Sequence, residues 1–161
     1  MGDAGPDEEA IGRAGQRLAG HEVLDLSEDD CWAHLKGSGF GRLAIVVDGV
    51  PRVYPMNYAS ADGALAFRTE AGTKLRRGPG SMACLEIDGY DPREALGWSV
   101  MAVGMLKDIT DAPDERSVRL RALPLVPSAP GARRHWLVLE VSEVSGRCFR
   151  RGWRSPAEPD R

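Results

Sequence analysis

Residues 72–74 read Gly72-Thr73-Lys74 and combine the groups that bind an anion. The glycine gives the backbone freedom, the hydroxyl and two backbone N–H groups can donate hydrogen bonds, and the lysine adds a point charge. Among anions, phosphate fits this combination best. The same triplet is also common in solvated turns, so the residues before it must decide between the two interpretations.

Pro55 and Arg68 precede this triplet in two stretches that mix apolar and polar residues. Proline cannot donate to a sheet ladder, so Pro55 indicates an edge or a bulge at which a ligand can approach the backbone. Strand alternation puts Leu65 and Phe67 on one face and Arg68 on the other. Arg68 is therefore either a solvated side chain or a second cation for the phosphate.

The sequence contains no recognisable pair of nucleophile and base, so the catalytic residues are not assigned. The three histidines are scattered along the chain, and nothing in their spacing indicates a metal site. The three cysteines are far apart and lack a C-x-x-C motif, which is typical of reduced thiols in a cytoplasmic protein.

Short strands joined by tight turns must position these residues. Residues 52–58 and 64–69 are predicted strands on either side of a turn at Asp62-Gly63. Residues 42–47 form a nearly unbroken apolar run, which predicts a strand buried on both faces. This strand ends at Asp48-Gly49, a strong hairpin signal.

The second half of the chain continues this pattern. Gly104 lies within a predicted strand and indicates a bend or a close backbone approach. Residues 75–77 have room for one short helical turn. The predicted strands span residues 82–87, 98–109, 135–141 and 146–151, and residues 88–97 are predicted to be a long polar loop.

Two further helices are predicted. Ser27 can cap a helix that runs to Lys36, because Asp30 stands at the spacing of a capping box. The second helix spans residues 113–121, with its cap at residue 110 or 111. Two or three short helices packed on six or seven strands imply a mainly β fold, a closed barrel.

Composition indicates one domain. The chain has 161 residues, a net charge of −3 and no apolar run of the length that spans a bilayer, so neither nucleic acid nor membrane is an expected partner. Residues 1–20 are poor in large apolar side chains and are predicted to be a disordered or loosely attached tail. The barrel domain is assigned to residues 21–154, and residues 155–161 to a flexible tail.

Three segments together resemble a known family: Tyr54-Pro55-Met56-Asn57-Tyr58, Phe67-Arg68-Thr69 and Gly72-Thr73-Lys74. Their order and spacing are similar to those of the pyridoxamine 5′-phosphate oxidase-like family of FMN-binding split barrels, and the resemblance covers residues 24–147. It implies a split β-barrel, a homodimer with FMN at the interface, and a small-molecule substrate. Trp98, Trp136 and Trp153 are candidates for that interface.

The resemblance implies a site for the phosphate end of FMN. Thr73 and Lys74 would hold the phosphate, and Arg68 and Thr69 would reach the phosphate and the ribityl chain, partly through the backbone.

The resemblance also implies contacts with the flavin ring. Pro55, Met56 and Asn57 would run along the edge of the isoalloxazine, and Ser99 would supply a polar contact. Phe67 would lie beside them, or else belong to the barrel core.

The chain departs from the vitamin B6 oxidases near its C-terminus. Those enzymes carry an Arg-x-His-type substrate motif, whereas residues 146–151 here read Gly-Arg-Cys-Phe-Arg-Arg. The sequence therefore resembles more closely the reductase-like members, which include nitroimidazole-reducing and deazaflavin-dependent proteins.

Four functions are open: an FMN-dependent oxidoreductase, a flavin or haem carrier without turnover, an F420-dependent reductase, and a barrel with an empty site. FAD is a further alternative cofactor.

Overall fold

The computed structural model describes residues 15–18, 21–70, 72, 78–125 and 134–151. These residues form eight strands and two helices. The strands are β1 (Gly15–Leu18), β2 (His21–Asp25), β3 (Phe40–Val47), β4 (Val50–Ala61), β5 (Ala64–Thr69), β6 (Met82–Asp91), β7 (Leu96–Asp108) and β8 (His135–Arg151). The helices are α1 (Glu28–Gly37) and α2 (Glu115–Arg121).

The strands form one antiparallel sheet in the order β1-β2-β8-β5-β4-β3-β6-β7. β7 also pairs with β8 along nearly its whole length, and this pairing closes the last six strands of that order into a barrel. Along its other edge, β8 pairs with β5 near its start and with β2 near its end. The prediction of a mainly β split barrel with short helices is confirmed.

The two predicted hairpin turns are present in the first half of the chain. Asp48 and Gly49 have φ angles of 52° and 77°, and Asp62 and Gly63 have φ angles of 52° and 70°. Positive φ at both central residues is the turn geometry whose twist matches that of the flanking strands, and aspartate followed by glycine adopts it at low cost. These turns connect β3 to β4 and β4 to β5.

The barrel wall has one buried face and one face toward solvent. In β3, Leu43 and Ile45 are 0% and 2% exposed, whereas Val46 is 55% exposed. The prediction that this strand is buried on both faces is therefore wrong, because residues on the outer face of an antiparallel barrel can be apolar without being covered. The interior contains, among others, Leu43, Ile45, Met56, Tyr58, Leu65, Phe67, Leu85, Ile87, Val100, Leu106, Leu137 and Leu139.

Helix α1 packs into this core through Cys31 and Leu35, which are both fully buried. Its N-terminus is a capping box: the Asp30 N–H donates to the Ser27 hydroxyl at 3.2 Å, and the Ser27 N–H donates to the Asp30 carboxylate at 3.3 Å. At its C-terminus, the buried Tyr58 hydroxyl donates to the Leu35 carbonyl at 2.8 Å. The predicted helix and its cap are confirmed.

Helix α2 lies on the outer surface of the barrel. Asp114 caps it, since the Ser117 N–H donates to the Asp114 carboxylate at 2.9 Å. The predicted cap at residue 110 or 111 is too early, because the residues from there to Asp114 form an irregular turn. Leu120 packs against a second apolar cluster, which contains Ala64, Ile109 and Val138.

The predicted polar loop at residues 88–97 is much shorter in the structure. β6 continues to Asp91 and β7 begins at Leu96, so a turn of four residues remains. In this turn the Arg93 N–H donates to the Asp91 carboxylate at 2.8 Å, and Ala95 has a φ of 50°. An alanine in the left-handed region is not a turn signal, so the hairpin was not predicted.

The last two predicted strands are one continuous strand, β8, with a bulge. Val103 pairs with Glu143 and Gly104 pairs with Val141, so Ser142 is an extra residue in the ladder. A Cβ atom on Gly104 would lie 1.9 Å from the Glu140 carbonyl oxygen. The close backbone approach predicted at Gly104 is therefore present.

At the N-terminus, β1 lies within the residues assigned to the tail. It pairs with β2 from Gly15 opposite Leu24 to Leu18 opposite His21, so regular structure begins before residue 20. The predicted helical turn at residues 75–77 and the tail at residues 155–161 lie outside the described residues. None of the described helices is long and apolar enough to cross a bilayer.

Candidate functional site

The candidate residues of β4 and β5 divide between the two faces of the barrel wall. Met56 and Phe67 are 2% and 0% exposed and belong to the interior core. Thr69 is 2% exposed and, two residues after Phe67, points to the same side. Phe67 is therefore a core residue, and a ligand outside the barrel could reach these three residues only through their backbone atoms.

Pro55, Asn57 and Arg68 have the opposite orientation and lie on the outer surface, where Pro55 is exposed and the other two are half-buried. β4 and β5 pair Tyr58 with Phe67, and this antiparallel register places Asn57 beside Arg68. The structure thus brings three of the predicted residues together on the outer face of one hairpin.

The described sheet pairing of Pro55 is one-sided. β4 pairs with β3 from Val50 to Asn57, but its described pairing with β5 begins only at Tyr58. Among the described residues Pro55 pairs with Arg42, and the edge or bulge indicated by the proline stays a prediction. Nearby, the Asn57 side-chain amide donates to the Gly39 carbonyl at 3.3 Å.

The guanidinium of Arg68 lies over the ring of Trp136. Its Cζ atom lies 5.5 Å from the centroid of the Trp136 ring, a cation–π distance, and Nη1 donates to the Leu125 carbonyl at 3.4 Å. Trp136 is directly opposite Arg68 in the ladder between β5 and β8. Trp136 was predicted only as an interface candidate, because the pairing of two strands almost seventy positions apart has no sequence signal.

The predicted phosphate triplet follows the end of β5. Gly72 is half-buried, while Thr73 and Lys74 lie outside the described residues, so their roles stay predictions. Arg68 is the second-last residue of β5, and the triplet follows this strand in the sequence. One cation therefore lies close to the start of residues 72–74.

Ser99 lies elsewhere on the outer surface. It is on β7, between Asp88 of β6 and Arg147 of β8. Strands β3 and β6 separate it from β4, so three strand spacings, about 14 Å, lie between it and Asn57. A single chain therefore does not bring Ser99 together with the other candidate residues.

A charged network lies between these two positions. Arg42 on β3 forms ion pairs with Glu86, at 3.3 Å, and with Asp88. The hydrogen bond that Arg42 donates to the Asp88 carboxylate is the largest cause that raises the pKa of Arg42. Arg42 is thus engaged by two carboxylates on the neighbouring strand, and these offset its charge next to Pro55.

His34 does not belong to this surface. Its ring stacks on Trp98, with 4.0 Å between ring centroids and 26° between planes. Burial lowers the pKa of His34, and the nearby Asp30 carboxylate partly opposes that effect. His34 is therefore a packing residue between α1 and β7.

Comparison with known proteins agrees with this fold. The FAD-binding protein of Mycobacterium smegmatis has 28% sequence identity and a TM-score of 0.65, over 78% of this chain and 97% of that one. A FAD-binding protein of Mesorhizobium loti has 25% identity and a TM-score of 0.63 over the same shares. An uncharacterized protein of Mycobacterium tuberculosis is 28% identical over 96 residues, which are 56% of this chain and 63% of that protein.

The sequence also matches a family model. Residues 27–148 match the model described as pyridoxamine 5′-phosphate oxidase. This range contains the whole closed barrel except the last three residues of β8. The chain therefore belongs to the pyridoxamine 5′-phosphate oxidase family.

Proposed function

We propose that this protein binds a flavin nucleotide on the outer face of the β4–β5 hairpin and uses it as an oxidoreductase acting on a small molecule. The observation that carries the proposal is the grouping of Pro55, Asn57 and Arg68 on that face, at the start of the segment that contains Lys74. Two solved relatives at 25–28% identity are FAD-binding proteins, which supports a flavin as the ligand.

The groups on this surface fit such a ligand. The planar guanidinium of Arg68 can donate paired hydrogen bonds to a phosphate. The Asn57 amide and the backbone at Pro55 offer donors and acceptors to the polar edge of a ring system. The phosphate next to the ribityl chain is common to FMN and FAD. We propose FMN as the ligand, and a titration with both nucleotides separates the two.

A bound flavin supplies the redox chemistry, and the protein supplies binding and orientation. In this proposal Arg68, Thr73 and Lys74 bind the phosphate, while the backbone of residues 55–57 orients the ring. The side chain that exchanges protons with the substrate is not assigned.

Vitamin B6 oxidation is not part of the proposal. Residues 146–151, which lack the Arg-x-His-type motif, lie within β8, where Arg147 forms an ion pair with Asp25 at 3.2 Å. We expect pyridoxamine 5′-phosphate to be a poor substrate. Rapid, saturable oxidation of this compound by the flavin-loaded protein would contradict that expectation.

We further propose a homodimer with the flavin at its interface. The outer face of β4, β3, β6 and β7 carries an apolar patch. A contiguous patch of this kind is typical of a subunit interface, whereas scattered exposed apolar residues are not. A second copy on this face could bring its Ser99 to the flavin bound by the first. The patch comprises Ala44, Val46, Val53, Met82, Cys84, Met101 and Val103, of which Val46, Val53, Met82 and Met101 are 47–61% exposed.

We also place the protein in the cytoplasm. Cys31, Cys84 and Cys148 are all thiols and not halves of disulfides, which suits a reducing compartment. Separate cytosolic and periplasmic fractions of expressing cells would test this assignment.

The absorbance spectrum of the purified protein tests the cofactor. Bound flavin absorbs near ~450 nm, deazaflavin near ~420 nm, and haem gives a Soret band. Titration with FMN, FAD and riboflavin should then show tighter binding of the phosphorylated flavins. Protein that binds none of the three would contradict the proposal.

Repeated turnover distinguishes an enzyme from a carrier. The flavin-loaded protein is supplied with excess NADH or NADPH as reductant, and its reoxidation by nitroaromatic or quinone acceptors is followed over many cycles. Reoxidation that stops after one equivalent with every acceptor would identify a flavin carrier and exclude the oxidoreductase.

A further inference from the structure

An aromatic ring and a carbonyl hold the guanidinium of Arg68 in place. The Arg68 Cζ atom lies over the Trp136 ring, 5.5 Å from its centroid, and Nη1 donates to the Leu125 carbonyl at 3.4 Å. Arg68 and Trp136 are direct cross-strand neighbours, so the contact follows from the sheet register and does not depend on a mobile loop.

Hydrogen bonds hold the backbone of Trp136, and packing holds its side chain. The backbone N–H donates to the Thr110 hydroxyl at 3.0 Å, and the backbone carbonyl accepts from the Ile109 N–H at 2.9 Å. Its side chain packs against the cluster of Ala64, Ile109, Leu120 and Val138 under α2. The ring is therefore a rigid platform for a long, flexible arginine side chain.

A cation–π contact places the charge over the face of the aromatic ring. The N–H donors of the arginine fork that point away from the ring can still bind an anion. An arginine held in this contact has also lost part of its rotamer freedom before a ligand arrives, so binding has less ordering left to do. The cation–π contact and phosphate binding are thus compatible and reinforce each other.

We infer that Trp136 is a positioning residue that holds Arg68 ready for the phosphate of the flavin. This inference rests on the proposed function, because it assumes a flavin phosphate as the anion. It assigns Trp136 no contact with the flavin ring. Its effect should therefore depend on the phosphate of the ligand and on the presence of Arg68.

A double-mutant cycle tests the inference. Dissociation constants for FMN and riboflavin are measured for the wild type, Trp136→Leu, Trp136→Phe, Arg68→Ala and the double variant Arg68→Ala/Trp136→Leu. We expect Trp136→Leu to weaken FMN binding by about three- to ten-fold, the range of a cation–π contact, and to leave riboflavin binding unchanged. Trp136→Phe should retain much of the FMN affinity, and the double variant should bind FMN no more weakly than Arg68→Ala.

The control is Trp98→Leu, which removes an indole that stacks on His34 and not on an arginine. It should not change the ratio of FMN to riboflavin affinity. Thermal unfolding of every variant shows which are folded. If Trp136→Leu is unstable, Trp136→Met takes its place, because methionine fills more of the indole volume and also lacks an aromatic face.

The outcomes separate the two proposals. Wild-type protein that binds neither FMN nor riboflavin would refute the proposed function. If the wild type prefers FMN but Trp136→Leu leaves that preference unchanged, only the role of Trp136 is refuted. Equal losses for FMN and riboflavin, or additive losses in the double variant, would also refute it, because Trp136 would then act on the ring or on folding.

Discussion

Lys74 offers a direct test of the phosphate hypothesis, because lysine is rarely a core residue and its replacement by alanine seldom affects folding. A charge-assisted hydrogen bond contributes roughly 1.5–3 kcal/mol, and about 1.4 kcal/mol corresponds to a factor of ten in affinity. We expect Lys74→Ala to weaken FMN binding by about ten- to a hundred-fold and to affect riboflavin far less. Fluorescence titration of both ligands measures the two losses.

Lys36→Ala is the matched control, since Lys36 is an exposed lysine in the last turn of α1. It should bind both flavins as the wild type does. Equal losses for FMN and riboflavin in Lys74→Ala, or no loss for either, would mean that residues 72–74 are a solvated turn.

Gly104 is the residue whose replacement should most disturb the barrel wall. Its missing side chain leaves room for the Glu140 carbonyl, which would lie 1.9 Å from a Cβ atom. Because the obstacle is backbone, relief requires movement of the bulge in β8. We expect Gly104→Ala to lower the free energy of unfolding by about 1–3 kcal/mol or more, as measured by urea denaturation.

Gly37→Ala is the control for this substitution, since nothing lies within 4 Å of its Cβ position. It should be neutral or slightly stabilising, because alanine loses less backbone entropy than glycine. Similar stability of the two variants would mean that the wall can shift at Gly104.

The composition of the candidate site was partly accessible from the sequence. The alternation of side chains along β5 predicted that Arg68 and Phe67 lie on opposite faces of the sheet. Pro55 indicated an edge or a bulge in β4. The position of Ser99, three strands away, and the contact of Arg68 with Trp136 both depend on strand order, which alternation does not contain.

At the scale of elements, the locally encoded ones were predictable. Helix α1 follows from the capping box, and the first two hairpins follow from aspartate–glycine pairs with positive φ. The β6–β7 hairpin was predicted as a long loop, because its turn uses Ala95 in a conformation that glycine usually adopts. The continuity of β8 was also missed, because Ser142 and Gly146 look like breaks, whereas β7 pairs with the strand on both sides of the bulge.

The contact between α1 and the barrel should respond to pH. Burial lowers the pKa of His34 below its ordinary value of 6.5, so the folded protein binds this proton less readily than the unfolded chain does. The unfolded state therefore binds more protons as the pH falls through 6.5, and stability decreases in that direction. We expect the midpoint of thermal unfolding to decrease between about pH 7.5 and pH 5.5.

His34→Phe isolates this effect, because phenylalanine keeps a ring against Trp98 and does not titrate. The decrease over the same pH range should be smaller in this variant. Identical pH dependence of His34→Phe and the wild type would assign the slope to other groups.

At the scale of the whole molecule, the apolar patch predicts self-association. We expect sedimentation at micromolar concentration to give twice the chain mass of 17.4 kDa. Val53→Glu or Met101→Glu should shift the protein to the monomer, because each places a charge in a surface that a partner must desolvate. Flavin binding should weaken in the monomer if both chains contribute contacts.

Val118→Glu provides the control, since Val118 is 48% exposed but lies on α2, outside the patch. It should remain dimeric. A wild-type monomer in the presence of FMN would contradict the dimer and leave Ser99 without a role at the flavin.

The triple pairing of β8 has a consequence for how this chain is made. β8 pairs with β7, β5 and β2, and its Arg147 meets Asp25 across 122 positions of sequence. Such distant contacts slow folding, and here none of them can form until residues 135–151 have left the ribosome. Until then β5 and β7 both present unpaired edges, which are prone to intermolecular pairing. Nascent chains that stall before residue 135 should therefore aggregate or occupy chaperones, even though the hairpins of β3 to β7 and both capped helices precede that point.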